Sequence, residues 1–290
     1  MRKFLLALIV VLAAGCEKST TDAKRAAIRV MFPSWYQNTA PFRMIGNIYW
    51  VGPKGLGAFL IPTDDGHILI DGGVPENAPM ISDNIRALGF DLEDIRILLN
   101  THAHFDHAGG LAALKDQTNA RMLATEGDRS ALEGGFYLGF ENRHELDFPP
   151  VAVDQIIQDG DTVSLGNVSL TAHLTPGHTR GCTSWTMTVD EGGETFEVLI
   201  FCSASVAANR LAGPPQYDGI VDDYRSTFAK TKDWRPDVFL SNHAEFFDME
   251  EKRARLEDGD ALAFVAEDEF PKFIARAEAA FKIALGRQEE

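Results

Sequence analysis

The stretch Asn100 to Gly110, NTHAHFDHAGG, places three histidines and an aspartate between His102 and His107, in a chain with 8 histidines altogether. It follows the apolar run IRILLN, which reads as a strand buried on both faces. In an extended segment the rings of His102 and His104 turn to one side. Asp106 and His107 come one step later, where a helix beginning near Ala108 would start. Gly109 and Gly110 let the backbone turn tightly and let that helix approach closely. Neutral imidazoles with one carboxylate suit Zn²⁺, with Fe or Mn as alternatives. So short a segment cannot wrap two metals, so distant ligands are expected. His178 in TPGHTRG and His243 in FLSNHAEFF each sit in a loop at a strand end. His67 reads as a solvated turn residue. His144 reads as a loop residue, with substrate contact as an alternative, and His173 as a buried, hydrogen-bonded strand residue near the ligands.

These side chains need a scaffold. IGNIYWVG, GAFLIPTD and GHILIDGG are short apolar runs broken by Gly and Asp-Gly, which predict consecutive strands. NAPMISDNIRALGF has helical spacing and a terminal Gly. AGGLAALKDQT predicts a helix, ARMLAT a strand and EGDRSALEG a short helix. Phe136 to Pro150 has no period and reads as a long loop of the kind that carries function. VDQIIQDGDTVSLGNVSLTAHLTPGH predicts strand pairs joined by Asp-Gly and Gly-Asn turns. CTSWTMTVD and TFEVLIFCSAS predict a hairpin around EGGE. DDYRSTFAKTKDW predicts a helix, DVFLSNH a buried strand, and the tail from Asp268 an amphipathic helix. Strands followed by helices, twice over, imply an α/β fold: a four-layer αββα sandwich of two mixed sheets flanked by helices.

The whole chain sets further bounds. At 290 residues, 45% hydrophobic and 24% charged, it suits a soluble globular protein. A net charge of −16 argues against nucleic acid as a partner, because phosphate binding needs clustered Lys and Arg. Arg2 and Lys3 precede FLLALIVVLAA, an apolar run of signal-peptide length. LAAGC, ending at Cys16, is similar to a bacterial lipoprotein signal in which that cysteine is lipidated; an ordinary secretory signal is the alternative. Either implies export to the periplasm. Residues 1–16 are thus read as a signal, 17–30 as a polar tether with a membrane anchor through Cys16, and 31–290 as the domain. Cys182 and Cys202 remain in the body. Export permits a disulfide, but nothing in the sequence shows that they pair.

The pattern His-x-His-x-Asp-His after a strand resembles the metallo-β-lactamase superfamily, over about Phe42 to the C-terminal helix. Within it, FPSWYQNTAPFRMIGNIYWVG, ATEGDRSALEGG and GHTRGCTSW are similar to subclass B3 β-lactamases. The resemblance implies two Zn²⁺ per chain: one held by His102, His104 and His178, the other by Asp106, His107 and His243. It further implies that a metal-bound hydroxide, oriented by Asp106, opens the β-lactam amide of penicillins, cephalosporins and carbapenems. No partner beyond the small-molecule substrate and the lipid anchor is implied, and a monomer is expected. Ser203 and Ser205 would place the substrate carboxylate. Other hydrolases of the superfamily, such as glyoxalase II and many lactonases, carry a metal-bridging Asp at the end of the strand that here reads FCSAS. Cys202 and Ser203 stand in its place, and strand alternation turns Cys202 away, as a buried structural thiol; a metal-ligand role is the alternative. The stretch ANRLAGPPQY departs from the subclass pattern. Asp71 in DGG reads as a structural hydrogen-bonding residue. Trp35, Tyr36, Phe136 and Tyr137 read either as cleft walls or as aromatics packing their own loops.

Overall fold

Apolar residues along the strands are split between two separate cores, and this split sets the layering. Phe59, Ile61, Ile68, Ile70, Ile97, Leu99 and Leu123 belong to one cluster, while the interleaved Leu60, Leu69, Leu98, Met122 and Ala124 belong to a second. Successive side chains on a strand point to opposite faces, so a sheet with two apolar faces must be covered on both.

The computed structural model describes residues 20–290. The signal segment, with Cys16 and the first residues of the proposed tether, lies outside the described residues. The first sheet has seven strands in chain order: β1 (Phe42–Ile45), β2 (Ile48–Trp50), β3 (Phe59–Thr63), β4 (Gly66–Ile70), β5 (Ile95–Leu99), β6 (Arg121–Thr125) and β7 (Gln155–Ile157). It is antiparallel up to β4 and parallel beyond. The second contains β8 (Thr162–Leu165), β9 (Val168–Leu174), β10 (Thr183–Glu191), β11 (Glu194–Phe201) and β12 (Val238–Ser241), in the order β12-β11-β10-β9-β8. Only its β11–β12 pair is parallel. Both sheets are mixed.

Trp185, Met187, Val198 and Ile200 of the second sheet join the first cluster, so the main core lies between the sheets. The second cluster packs the first sheet against α2 (Ala78–Ala87), α4 (Leu111–Thr118) and α5 (Glu126–Gly134). On the far side, α8 (Glu269–Glu289) buries Phe270, Phe273, Ile274 and Phe281 at helical spacing. Phe201 and Phe239 meet Phe270 at centroid distances of 5.1 and 5.3 Å. Together with α6 (Ile220–Thr231), this completes the expected four-layer αββα sandwich.

The β10–β11 hairpin forms where expected. Its turn residues Gly192 and Gly193 have φ of 62° and 88°, the conformation a two-residue type I′ turn requires. The Asp159-Gly160 turn does not make a hairpin. β7 pairs with β6 in the first sheet and β8 with β9 in the second, so this turn carries the chain from one sheet to the other. A further helix, α7 (Met249–Glu257), follows His243; its residues are mostly charged, so it carries little apolar period to read.

The proposed tether is partly ordered. Residues 20–31 form α1. Arg25 donates to the carbonyls of His144 and Asp147, both at 3.1 Å, and Lys24 pairs with Glu145 at 3.4 Å. These basic side chains dock the helix on the long loop. His67, expected to be solvated, is 8% exposed on β4, with its ring edge-on to Phe90 at 5.1 Å.

Cys182 and Cys202 form a disulfide joining the start of β10 to the end of β11, with Cα atoms 5.9 Å apart. Cys202 is therefore neither a free thiol nor a metal ligand. The bridge closes a loop of sequence separation 20. Replacing both cysteines by serine is expected to lower the unfolding free energy by about 3 kcal/mol, measured by denaturant titration without reductant.

Candidate metal centre

The metal-binding candidates lie just beyond the ends of strands: all but His178 follow strands with parallel neighbours, and His178 lies in an antiparallel connection. β5 ends at Leu99, and the chain runs on through Asn100 and Thr101 to His102 and His104 before α3 (Phe105–Ala108), which carries Asp106 and His107. His178 lies between β9 and β10, and His243 follows β12. A Cβ on Gly110 would sit 2.3 Å from the carbonyl oxygen of Gly72, so close backbone approach is what demands glycine there. Gly109 and Gly110 have ordinary helical φ values of −57° and −85°, so they do not make the expected tight turn.

The six side chains form two adjoining groups. The ligand atoms of His102, His104 and His178 all lie within 4.8 Å of one another, as do those of His102, Asp106 and His107. His243 completes the second group. Its Nε2 is 3.2 Å from Nε2 of His107 and 3.7 Å from Oδ2 of Asp106, while His107 Nε2 is 3.3 Å from the same oxygen. Ligands held tetrahedrally about 2.0–2.1 Å from zinc are separated by about 3.3 Å, so this triangle is of the size that surrounds a metal.

Burial and hydrogen bonding prepare these atoms as donors. Burial, reinforced by the neighbouring histidines, holds His102 and His104 well below the usual imidazole range. It brings His178 down to about 4 and His243 to about 3. All four are neutral at neutral pH. Burial would raise Asp106, but His107, His243 and His104 outweigh it and hold the carboxylate below its ordinary range. His107 moves up, burial being outweighed by Asp106 and Asp71.

Two of the far nitrogens are tied to the protein. His178 Nδ1 donates to the carbonyl of Ser205 at 2.7 Å, which leaves Nε2 bare. Thr101 donates its backbone N–H and its hydroxyl to Asp71, both at 2.7 Å, so its oxygen is free to accept from His102 Nδ1 at 3.2 Å. His102 Nε2 is then a buried nitrogen with no protein partner. That orphan atom, the neutral imidazoles and the spacing of the second group fit bound metal ions. Asp71 holds this geometry with φ of 65°, a left-handed conformation uncommon for aspartate. Burial raises its carboxyl to about 6. It is the structural hydrogen-bonding residue read from the sequence.

Asp128 and Asn242 support the site with no sequence signal of their own, and Tyr137, read as a cleft wall or a loop-packing aromatic, lies against a ligand ring. Asp128 on α5 accepts from Ala103 N at 2.8 Å, Gly181 N at 2.9 Å and Thr179 Oγ1 at 3.0 Å, pinning the two ligand loops together. A single acidic residue in a short helix gives no hint of this. Tyr137 stacks on His104 with centroids 3.9 Å apart and planes at 18°. Asn242 Nδ2 lies 3.2 Å from His102 Nδ1.

The remaining candidates distribute as follows. Ser205 is half-buried and its Oγ is 3.3 Å from His178 Nδ1; Ser203 is 1% exposed, with its Oγ 3.2 Å from that of Ser205. Trp35 stands 5.6 Å from the His243 ring, whereas Phe136 packs against the outer core of the first sheet and Tyr36 lies under Arg29. His144 is engaged by Asp147 at 2.8 Å, and His173 bonds Thr186 at 2.8 Å and stacks edge-on with Trp234, at no described ligand.

Comparison with known proteins agrees with this geometry. Residues 52–190 match the model of the metallo-β-lactamase superfamily. A subclass B3 metallo-β-lactamase of Bradyrhizobium japonicum superposes with a TM-score of 0.86 at 48% identity, over 88% of this chain and 97% of that one. The chain belongs to the metallo-β-lactamase superfamily. The native metallo-β-lactamase from Legionella gormanii is 38% identical with a TM-score of 0.85, over 87% of this chain and 98% of that one. Shorter similarity reaches hydroxyacylglutathione hydrolases, from Maricaulis maris (33% over 91 residues, 31% of this chain) and Rhodopseudomonas palustris (31% over 121 residues, 42% of this chain). The matches span only 28% and 39% of those relatives' own lengths. The superfamily hydrolase fold and its metal-binding groups are thereby established, and no described helix is long and apolar enough to cross a membrane.

The depressed histidines predict how the metal-free protein responds to acid. Each is neutral when folded and protonates when unfolded near the ordinary value of about 6.5. The unfolded chain therefore binds more protons below that pH, and stability falls as pH drops from about 6.5 toward the folded values near 4 and 3. Denaturant titrations of the metal-free protein should show this loss, and saturating Zn²⁺ should offset it where the metal still binds. Asp71 and His107, both raised in the folded chain, gain stability as pH falls and oppose this loss, so the histidine contribution is isolated by comparison with His178→Ala. A loss between pH 7 and pH 5 as large in that variant as in the parent would contradict the histidine assignment.

Proposed function

We propose that this protein hydrolyses the β-lactam amide with two Zn²⁺ per chain, as an exported subclass B3-like enzyme acting as a monomer on penicillins, cephalosporins and carbapenems, and so confers β-lactam resistance. The observation that carries the reading is the end of β11. There Cys202 is closed into a disulfide and Ser203 is buried, at the point where hydrolases such as glyoxalase II and many lactonases carry a bridging aspartate. Asp106 is then the carboxylate of the centre, beside five histidines. The 48% identity to a subclass B3 enzyme over nearly its whole length supports the same reading. The disulfide is consistent with export to the periplasm; lipidation at Cys16 would add a membrane anchor.

His102, His104 and His178 would hold one ion, and Asp106, His107 and His243 the other. When bound, the ions supply a Lewis acid for the scissile carbonyl and lower the pKa of water. Asp106, kept ionised by its neighbours, accepts a hydrogen bond from the attacking water and orients it. Ser205 presents its hydroxyl to the substrate carboxylate, and Ser203, too buried to reach it directly, orients Ser205. Trp35 and Tyr137 border the centre from opposite groups, beside His243 and His104, and can cover the apolar arms of a substrate.

A second reading, a hydroxyacyl-thioester or lactone hydrolase, draws on the partial similarity to hydroxyacylglutathione hydrolases. Purified protein in zinc-containing buffer should hydrolyse a carbapenem, with activity abolished by EDTA and untouched by clavulanate. Asp106→Ala should lower kcat/KM by about 10²- to 10⁴-fold with the far-UV spectrum unchanged. Absence of turnover of any β-lactam would overturn the proposal, and faster turnover of a hydroxyacyl thioester or lactone would establish the second reading.

A further inference from the structure

The loop between β11 and α6 is tied to the three-histidine group through one side chain. Asn209, 2% exposed, uses both ends of its amide. Its Nδ2 donates to the backbone carbonyl of His178 at 2.9 Å and reaches the Tyr224 hydroxyl at 3.3 Å. Its Oδ1 accepts from the Tyr137 hydroxyl at 3.1 Å, and the Tyr137 ring is the one stacked on His104. Tyr224 in turn donates at 2.7 Å to the carbonyl of Ser205, the same oxygen that accepts from His178 Nδ1. The backbone of this loop is anchored from the far end of the chain. Gln288, near the end of α8, accepts from Leu211 N at 2.6 Å and donates to the carbonyl of Asn209 at 3.1 Å.

From this we infer that Asn209 is a positioning residue for the three-histidine group, fixing His178 directly and His104 through Tyr137, so that the two rings hold their relative orientation before a metal arrives. The inference rests on the reading that His102, His104 and His178 bind a metal. An amide is suited to the task because it donates and accepts at once. A leucine of similar size removes both functions and strands the His178 carbonyl and the Tyr137 hydroxyl without partners in a buried site. A chain of hydrogen bonds that orients a ligand is normally worth about 10- to 100-fold in metal affinity. The Tyr137 hydroxyl tests the link without touching packing, since Tyr137→Phe keeps the ring against His104.

The test uses Co²⁺ as the metal, in the full chain with His243→Ala to weaken the second group relative to the three-histidine one. Affinity is read by competition with a chromophoric chelator and geometry by the cobalt d–d absorption. Asn209→Leu is expected to weaken Co²⁺ binding about 10- to 100-fold and to change the absorption bands. Tyr137→Phe should do the same in smaller measure, and the double variant should be no worse than Asn209→Leu alone, because the two side chains act as one unit. Unaltered affinity and spectrum in folded Asn209→Leu and Tyr137→Phe proteins, or fully additive losses, would overturn the inference; if Asn209→Leu does not fold, Tyr137→Phe decides alone. Failure of the His243→Ala parent itself to bind Co²⁺ would instead overturn the metal reading of the three histidines.

Discussion

A ring nitrogen can offer its lone pair to a metal only if the other nitrogen keeps the proton, and this requirement organises most of the site. Five histidines are packed with ring centroids 4.4 to 4.8 Å apart, close enough that protonation of several at once would be strongly repulsive. Burial removes that prospect by making the imidazolium form expensive. The protein then has to choose the tautomer, and it does so with groups that accept: the Ser205 carbonyl for His178, and the Thr101 oxygen, committed as a donor to Asp71, for His102. Asp71 also stands 3.6 Å from His107 Nδ1, and Glu245 stands 3.8 Å from His243 Nδ1. His178 and His102 thus each meet an oxygen at hydrogen-bond distance, whereas Nδ1 of His107 and of His243 face a carboxylate beyond it.

The sheet architecture exists to bring those oxygens and rings together. β4 and β5 are adjacent and parallel, so the residues after their ends, Asp71 and Thr101, meet at one edge. β11 and β12 are likewise parallel neighbours, which sets Ser203 and Ser205 near His243 and Asn242. Parallel pairs leave their loops on the same side, and both parallel regions open onto the same centre. The antiparallel strands contribute through loops instead: the β9–β10 turn brings in His178, and the disulfide fixes that turn to the end of β11.

Much of this was legible in the sequence because it is local. The spacing of His102, His104, Asp106 and His107 is a property of six contiguous residues. The strand-end settings of His178 and His243 follow from short apolar runs before them. The alternation of Leu60 between Phe59 and Ile61 encodes a sheet covered on both faces. What could not be read depends on contacts between distant segments. Asp128 clamps loops 25 and 53 residues away. The two body cysteines differ in no local way from unpaired ones, and only the β10–β11 register brings them together. His67 looked solvated because glycine flanks it, yet its strand continues through it and Phe90 covers the ring. The Asp-Gly turn after β7 misled for a related reason, since turn chemistry specifies a reversal and not which sheet receives the next strand.

The position after β11 shows how one local exchange can separate activities on a shared fold. A carboxylate there would add a second negative charge to the strand-end region and lower the net charge of the centre. Here the chain supplies instead a serine hydroxyl hydrogen-bonded to a second serine, and a cysteine withdrawn into a covalent bridge. Among the six candidate ligands the only carboxylate is then Asp106, in a protein whose overall charge is −16. With metal bound, an anion approaching such a surface would be repelled at long range and attracted only close to the centre, where screening by salt is weakest. On the proposed function, a compact substrate with its carboxylate close to the scissile bond would suit that field, because such a molecule can place both charged and reacting groups within reach of the centre at once.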